Sequence, residues 1–311
     1  MSYPIPLRNP AMQAAGAVTP KLSVLIPFYK ESPVALLRGL NVRDPHGVEI
    51  VLLDDGSAMA GLTAEIEAFM ASCPMPIELI TLVGNEGRAR GRNRLTSAAR
   101  GDYFLFLDAD MLPDAPGFLD TWLDQIETGL PAVVFGGFSL HQAPADKAFA
   151  IHKLMAGHSD CLDAAERRKH PEKYVFTSNL LVRRDVFEAE GFDSGFTGWG
   201  WEDVEWAMRV AARYPVEHID NTATHMGLDT AANLARKYEQ SVANFARVVS
   251  KHFDVVSSYP SYRVARLLKR VPLTGALRGV LKTAALTPAL PAKARAFSLR
   301  LYRAALYAQV V

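Results

Sequence analysis

The chain has 311 residues, and its 34 lysines and arginines against 33 carboxylates give a net charge of +1 that conceals two opposite parts. Ten of the cations follow Asp254 and no carboxylate does, so the first 254 residues carry −9 and the remainder +10. A composition 49% hydrophobic and 22% charged excludes a disordered chain, and Cys73 and Cys161 alone exclude a disulfide scaffold or zinc ribbon.

Residues 1–20 have no apolar core of secretory length and read as an extended N-terminal arm. Leu22 to Phe28 is a buried strand, followed by a helix from about Pro33 to Leu40. Glu49 to Leu53 is a second strand, ended by Asp54-Asp55-Gly56-Ser57, and residues 62–72 are helical. Ile77 to Leu82 makes a third strand, 88–99 another helix, and Tyr103 to Leu107 a fourth strand that stops at Asp108-Ala109-Asp110. Strands without polar alternation are buried on both faces, so their alternation with helices predicts an α/β fold, a mostly parallel sheet with helices on each side. Ligands of such sheets bind beyond the carboxyl ends of the strands. Three of those ends carry polar or acidic clusters here, more than helix capping alone explains.

No Gly-Lys-Ser/Thr phosphate loop occurs, and Gly84-Asn-Glu-Gly87 has the wrong spacing for a dinucleotide site. Phosphates in an acidic site without a glycine cradle call for a divalent cation, which an Asp-x-Asp turn can hold. Further on, Thr177 to Val182 is strand-like and a helix starts near Arg183. Gly198-Trp199-Gly200-Trp201-Glu202-Asp203 then combines indole faces, suited to sugar rings, with a carboxylate able to take a hydroxyl proton. Glu205 continues the helix as a solvated or salt-bridged residue, and Trp206 reads as core. Past Ser258, helices over Tyr262–Val271, Leu273–Leu286 and Ala292–Ala308 are separated by prolines. Lys293, Arg300 and Arg303 share one face of the last, which predicts a basic amphipathic tail on an anionic membrane surface through residues 258–311. The other reading is a packed helical subdomain with a cationic exterior, or a partner-binding arm. No nucleic-acid-binding pattern accompanies the charge.

SVLIPFYKE, IVLLDDGS, NEGRARGRNR and DYFLFLDADMLP, in that order and spacing, resemble the family-2 glycosyltransferases of GT-A fold over about residues 21–230. Gly-Trp-Gly-Trp-Glu-Asp is similar to the Trp-Gly-x-Glu-Asp acceptor motif of galactosyltransferases and chondroitin-polymerase-like enzymes, with Trp201 where that pattern has a small glycine. The resemblance implies a glycosyltransferase domain over 21–255, with a nucleotide-sugar half at 21–115 and an acceptor half at 116–255, and a basic tail at 256–311. It implies inverting transfer from a nucleotide-sugar donor, most often UDP-linked, to a glycan or lipid-linked acceptor, as in surface polysaccharide synthesis. The expected location is cytoplasmic and peripheral to the membrane.

Carried over by position, Pro27, Tyr29, Glu31, Asp54, Asp55, Gly87, Arg92, Asn93 and Asp108 would bind the donor. Arg88, Arg90 and Arg94 read equally as solvated helix charges and as donor contacts. Asp110 and His225 would hold Mn²⁺ or Mg²⁺, with imidazole favouring manganese. Trp199, Gly200 and Trp201 would bind the acceptor, Asp203 would be the catalytic base, and Glu202 would orient the acceptor. Two other readings are a catalytically silent sugar-binding scaffold and a sugar-phosphate nucleotidyltransferase. The first is opposed by the presence of Asp110 and Asp203, the second by Pro27-Phe28-Tyr29-Lys30-Glu31 where a Gly-rich basic loop would be needed.

Overall fold

The strands are β1 (Leu7–Arg8), β2 (Leu22–Phe28), β3 (Val48–Asp54), β4 (Ile77–Thr81), β5 (Tyr103–Leu107), β6 (Met111–Pro113), β7 (Val133–Phe135), β8 (Phe138–Ser139), β9 (Asn179–Arg183), β10 (Val216–His218) and β11 (Ala223–His225). They come from a computed structural model that describes residues 6–16 and 18–311. Eight of them form one sheet in the order β1-β4-β3-β2-β5-β9-β7-β10, and β6-β11-β8 form a second, small sheet.

Burial on both faces selects the apolar runs of β2, β3 and β5 for the centre of the large sheet. Ile26, Leu52 and Leu105 pack with Trp122 on one side, while Leu25, Leu53, Phe104 and Phe106 pack with Trp206 on the other. Each such side chain contributes about 1.5–3 kcal/mol when fully buried. β4, β3, β2 and β5 run parallel in a register that sets Phe28 beside Asp54 and Leu25 beside Phe106. The carboxyl ends of β2, β3 and β5 therefore meet at one edge, as their polar ends suggest. β9 runs antiparallel to both β5 and β7. A doubly buried apolar strand reads the same in either direction, so its sequence does not reveal this reversal.

The N-terminal segment is not an extended arm. Leu7 and Arg8 pair antiparallel with β4, and a short helix follows over Pro10–Ala14. Asn9, 3% exposed, holds both in place. Its side-chain oxygen accepts from the backbone N–H of Met12 and Ile77, and its amide donates to the carbonyls of Met70, Cys73 and Met75. Residues 1–5 and 17 of the expected arm lie outside the described residues.

The three helices expected after residue 255 are present at Pro260–Leu268, Thr274–Leu286 and Ala292–Tyr307. They are not an appendage. Leu299, Tyr302, Leu306 and Tyr307 are buried in a third apolar cluster with Tyr238, Phe245 and Val248. The last helix thus lies against residues 231–251, and its exposed Arg300 and half-buried Arg303 line the central cleft.

Candidate active site

One cleft of about 1340 Å³ runs from the ends of β2, β3 and β5 to the C-terminal helix. At the first end Pro27, Tyr29, Glu31, Asp55, Gly87, Arg92 and Asp108 line it, as do Asp110 and His225. Asp55 accepts from the backbone N–H of Glu86 (2.7 Å) and Gly87 (3.0 Å), pinning the loop that precedes the helix Arg88–Ala98. Two of the expected donor residues stand elsewhere. The Asp54 carboxylate turns inward to accept from the Ser57 N–H at 2.8 Å and does not border the cleft. Asn93 exchanges two hydrogen bonds with the backbone of Phe192 (2.9 and 3.1 Å) and lines a separate pocket with Thr96 and Arg184. Both residues shape the fold.

Arg92 is the electrostatic centre of this end. Its side chain is 1% exposed, and its Nη2 donates to Asp108 at 2.6 Å while Nη1 lies 3.6 Å from Glu202. Burial alone would raise the Asp108 carboxyl. Arg92, then Arg88 and the Ser178 hydroxyl, bring it down to about 2. Arg88 lines the cleft 4.0 Å from Glu202, whereas Arg94 pairs with Glu86. Glu202 is 4% exposed and turned toward these arginines, so it is less available to an acceptor than its motif suggests.

Asp110 and His225 are neighbours because β6 and β11 pair antiparallel with Met111 opposite His225. His225 Nε2 lies 3.3 Å from Asp110 Oδ2, while Asp110 Oδ1 is buried without a hydrogen-bond partner. A Cβ at Gly227 would run into the Asp110 carboxylate, so any larger residue there would displace it. A buried, unsatisfied carboxylate oxygen beside an imidazole is a donor set that fits a divalent cation. Among the described residues no group of three or more His, Cys, Asp or Glu gathers to hold a metal. His152, which its sequence context left undistinguished, has its ring 5.8 Å from that of His225 and accepts from the Asp229 N–H. Burial lowers it to about 4, so it is neutral at pH 7.

The other end of the cleft is built from the loop before the helix Glu202–Ala211. Gly198, Gly200 and Trp201 all have positive φ (71°, 83° and 77°). The left-handed conformation is open to glycine, but a tryptophan there costs about 1–2 kcal/mol. Compensation comes from the indole, whose ring lies tilted 4.9 Å from that of Phe245 and which donates to the Tyr307 hydroxyl at 2.9 Å. Asn244 clamps the same loop by donating to the carbonyls of Thr197 and Gly200. Trp201 therefore ties the loop before the helix Glu202–Ala211 to the C-terminal helix while bordering the cleft. Trp199 also lines it, with Tyr238 beside its ring at 6.1 Å.

Asp203 opens onto this cleft and accepts from the Val204 N–H. Burial, reinforced by Glu202, pushes its carboxyl up to about 7 against the opposing pull of Arg92 and Arg88. A carboxyl near neutrality is poised to exchange protons at physiological pH. Glu205, by contrast, is fully buried and paired with Arg209, Lys251 and His252, and Trp206 is core.

Ser178, Lys237, Tyr238, Arg300, Arg303 and Tyr307 also line the cleft, and no motif marks them as site residues. For the arginines the available signal was a helix with cations and no carboxylate.

The family model for glycosyl transferase family 2 matches residues 23–191. The chain is 26% identical over 220 residues to polypeptide N-acetylgalactosaminyltransferase 13 of Homo sapiens, a match covering 61% of this chain and 38% of that protein. It thus spans well under half the length of that relative. Among solved structures, mannosyltransferase PcManGT from Pyrobaculum calidifontis, in complex with GDP-Man and Mn²⁺, superposes with a TM-score of 0.58 at 18% identity, covering 94% of this chain and 88% of that one. S. aureus TarS 1–349 in complex with UDP-GlcNAc superposes with a TM-score of 0.53 at 16% identity, covering 91% and 89%.

Proposed function

The chain belongs to glycosyl transferase family 2, and we propose that it moves a sugar from a UDP-linked donor to a hydroxyl of a glycan or lipid-linked acceptor, with inversion, using Mn²⁺ or Mg²⁺. The observation that carries this reading is that one cleft joins the Asp110–His225 pair to Asp203 and Trp199. Asp110 and His225 would hold the cation, which when bound draws charge from the departing diphosphate. Asp55 fixes the loop at the nucleoside end, and Arg88 offers cationic charge at the phosphate end. Trp199 offers a face to the acceptor ring, and Asp203 takes the acceptor hydroxyl's proton as that oxygen attacks the anomeric carbon. Attack opposite the leaving diphosphate inverts the configuration.

Titration with UDP and Mn²⁺, followed by thermal unfolding, tests the donor half. Saturation at about 100 times Kd stabilises by about 2.7 kcal/mol, a rise of roughly 5 °C for a chain of this size. EDTA or Asp110→Ala should remove most of it. No response to UDP or GDP with either metal would remove the donor reading, and an undiminished response in EDTA would remove the metal.

The same proposal places the protein on the cytoplasmic face of an anionic membrane. Support comes from apolar side chains standing in water among cations: Leu267 is 63% exposed, Leu273 81%, Val280 66% and Phe297 63%, with Arg266, Lys269 and Arg270 close in sequence. Among the described residues no helix is long and apolar enough to cross a membrane. The full chain should sediment with phosphatidylglycerol vesicles and far less with phosphatidylcholine. Leu273→Asp with Lys269→Glu should release it. Equal sedimentation of that variant would contradict attachment through this surface.

A further inference from the structure

Two cationic groups line the cleft, and only one is ion-paired among the described residues. Arg88 and Arg92 face Asp108 and Glu202. Arg300 and Arg303, on the helix Ala292–Tyr307, have no hydrogen bond or ion pair among the described residues. The Arg303 guanidinium lies 5.2 Å from the ring centre of Tyr238, whose ring in turn lies 6.1 Å from that of Trp199. Lys173 lines the same cleft, whereas Lys237 is taken by Asp229. The carboxylate that faces the arginines is Asp160, which accepts from the Ser159 hydroxyl. Burial raises it despite Arg303, and among the described residues no ion pair joins it to either arginine. Guanidinium groups left unpaired in a cleft are suited to phosphate oxygens, which they bind as forks.

We propose that Arg300 and Arg303 form a phosphate subsite in the acceptor half, reached along Trp199 and Tyr238, so that the acceptor carries a phosphate beyond the sugar resting on Trp199. This rests on the glycosyltransferase reading, because it assigns the group to acceptor rather than donor. It also gives the C-terminal helix a part in substrate choice.

The test uses the full chain with UDP and Mg²⁺ present to fill the donor end, and inorganic phosphate as probe. Wild type should show a saturable rise in melting temperature with phosphate, and Arg300→Gln/Arg303→Gln should lose it while UDP affinity stays within about twofold of wild type. Should the double variant not fold, Arg300→Gln alone, at an exposed position, should weaken the phosphate response at least about threefold. Farnesyl phosphate and sn-glycerol 3-phosphate separate the sources: tighter binding of the first places the phosphate on a lipid, equal binding places it on a glycan. A phosphate response unchanged in the variants overturns the subsite, and a UDP affinity that falls with it reassigns the arginines to the donor. Failure of wild type to bind UDP would instead count against the donor reading, and the phosphate comparison can still be made without nucleotide.

Discussion

Asp203→Asn is expected to slow sugar transfer about 10²- to 10⁴-fold while changing nucleotide affinity by no more than about twofold. Asparagine keeps the shape and still accepts from the Val204 N–H, but it cannot take the acceptor's proton. The pH profile carries a second signature. A base must be ionised to act, and burial beside Glu202 pushes this carboxyl up to about 7. Its reactive fraction therefore shrinks as pH falls through that value. The transfer rate should drop about tenfold per pH unit below pH 7 and level off above it. An aspartate at its ordinary value near 3.8 would give a flat profile from pH 5 to 8.

Arg92→Met should destabilise the fold by about 3–5 kcal/mol, read as a lowered urea midpoint. The cause is not the loss of one attraction. Removing the guanidinium leaves Asp108 and the nearly inaccessible Glu202 without the buried counter-charge they share, with only the more exposed Arg88 near them. By comparison, Lys21→Met breaks a pair in which both side chains are more than half exposed, and it should cost less than about 1 kcal/mol. Because Arg92 also holds the Asp203 carboxyl down, any activity left in Arg92→Met should have its pH profile displaced upward. A variant as stable as wild type, with the same profile, would contradict this role.

What the sequence revealed and what it hid follow from the range of the interactions. The doubly buried strands announce themselves by composition, and Asp110, Trp199 and Asp203 by motifs only a few residues long. The pairing of Asp110 with His225 follows from the β6–β11 register, which spans more than a hundred residues. Asp54 and Asn93 have the same residue types as donor contacts, yet Ser57 and Phe192 occupy them. Asn9 acts through partners more than sixty residues away, and so the N-terminal segment read as an arm. Trp201 is the sharpest case: the left-handed backbone wants glycine, and the tryptophan is explained only by Phe245 and Tyr307. Its departure from the acceptor motif and the packing of the C-terminal helix are one fact. The basic tail was legible as charge, while its contribution to the cleft depended on which face of that helix was buried.

The most direct measurement is the release of nucleoside diphosphate from UDP-sugars and GDP-mannose, with Mn²⁺, by wild type and Asp203→Asn in the presence of glycan and prenyl-phosphate-linked acceptors. The expected result is acceptor-stimulated release by wild type with at least one donor, and its loss in a folded Asp203→Asn protein that still binds nucleotide. Acceptor-stimulated release that persists in Asp203→Asn, with the pH profile of wild type, would contradict Asp203 as the base.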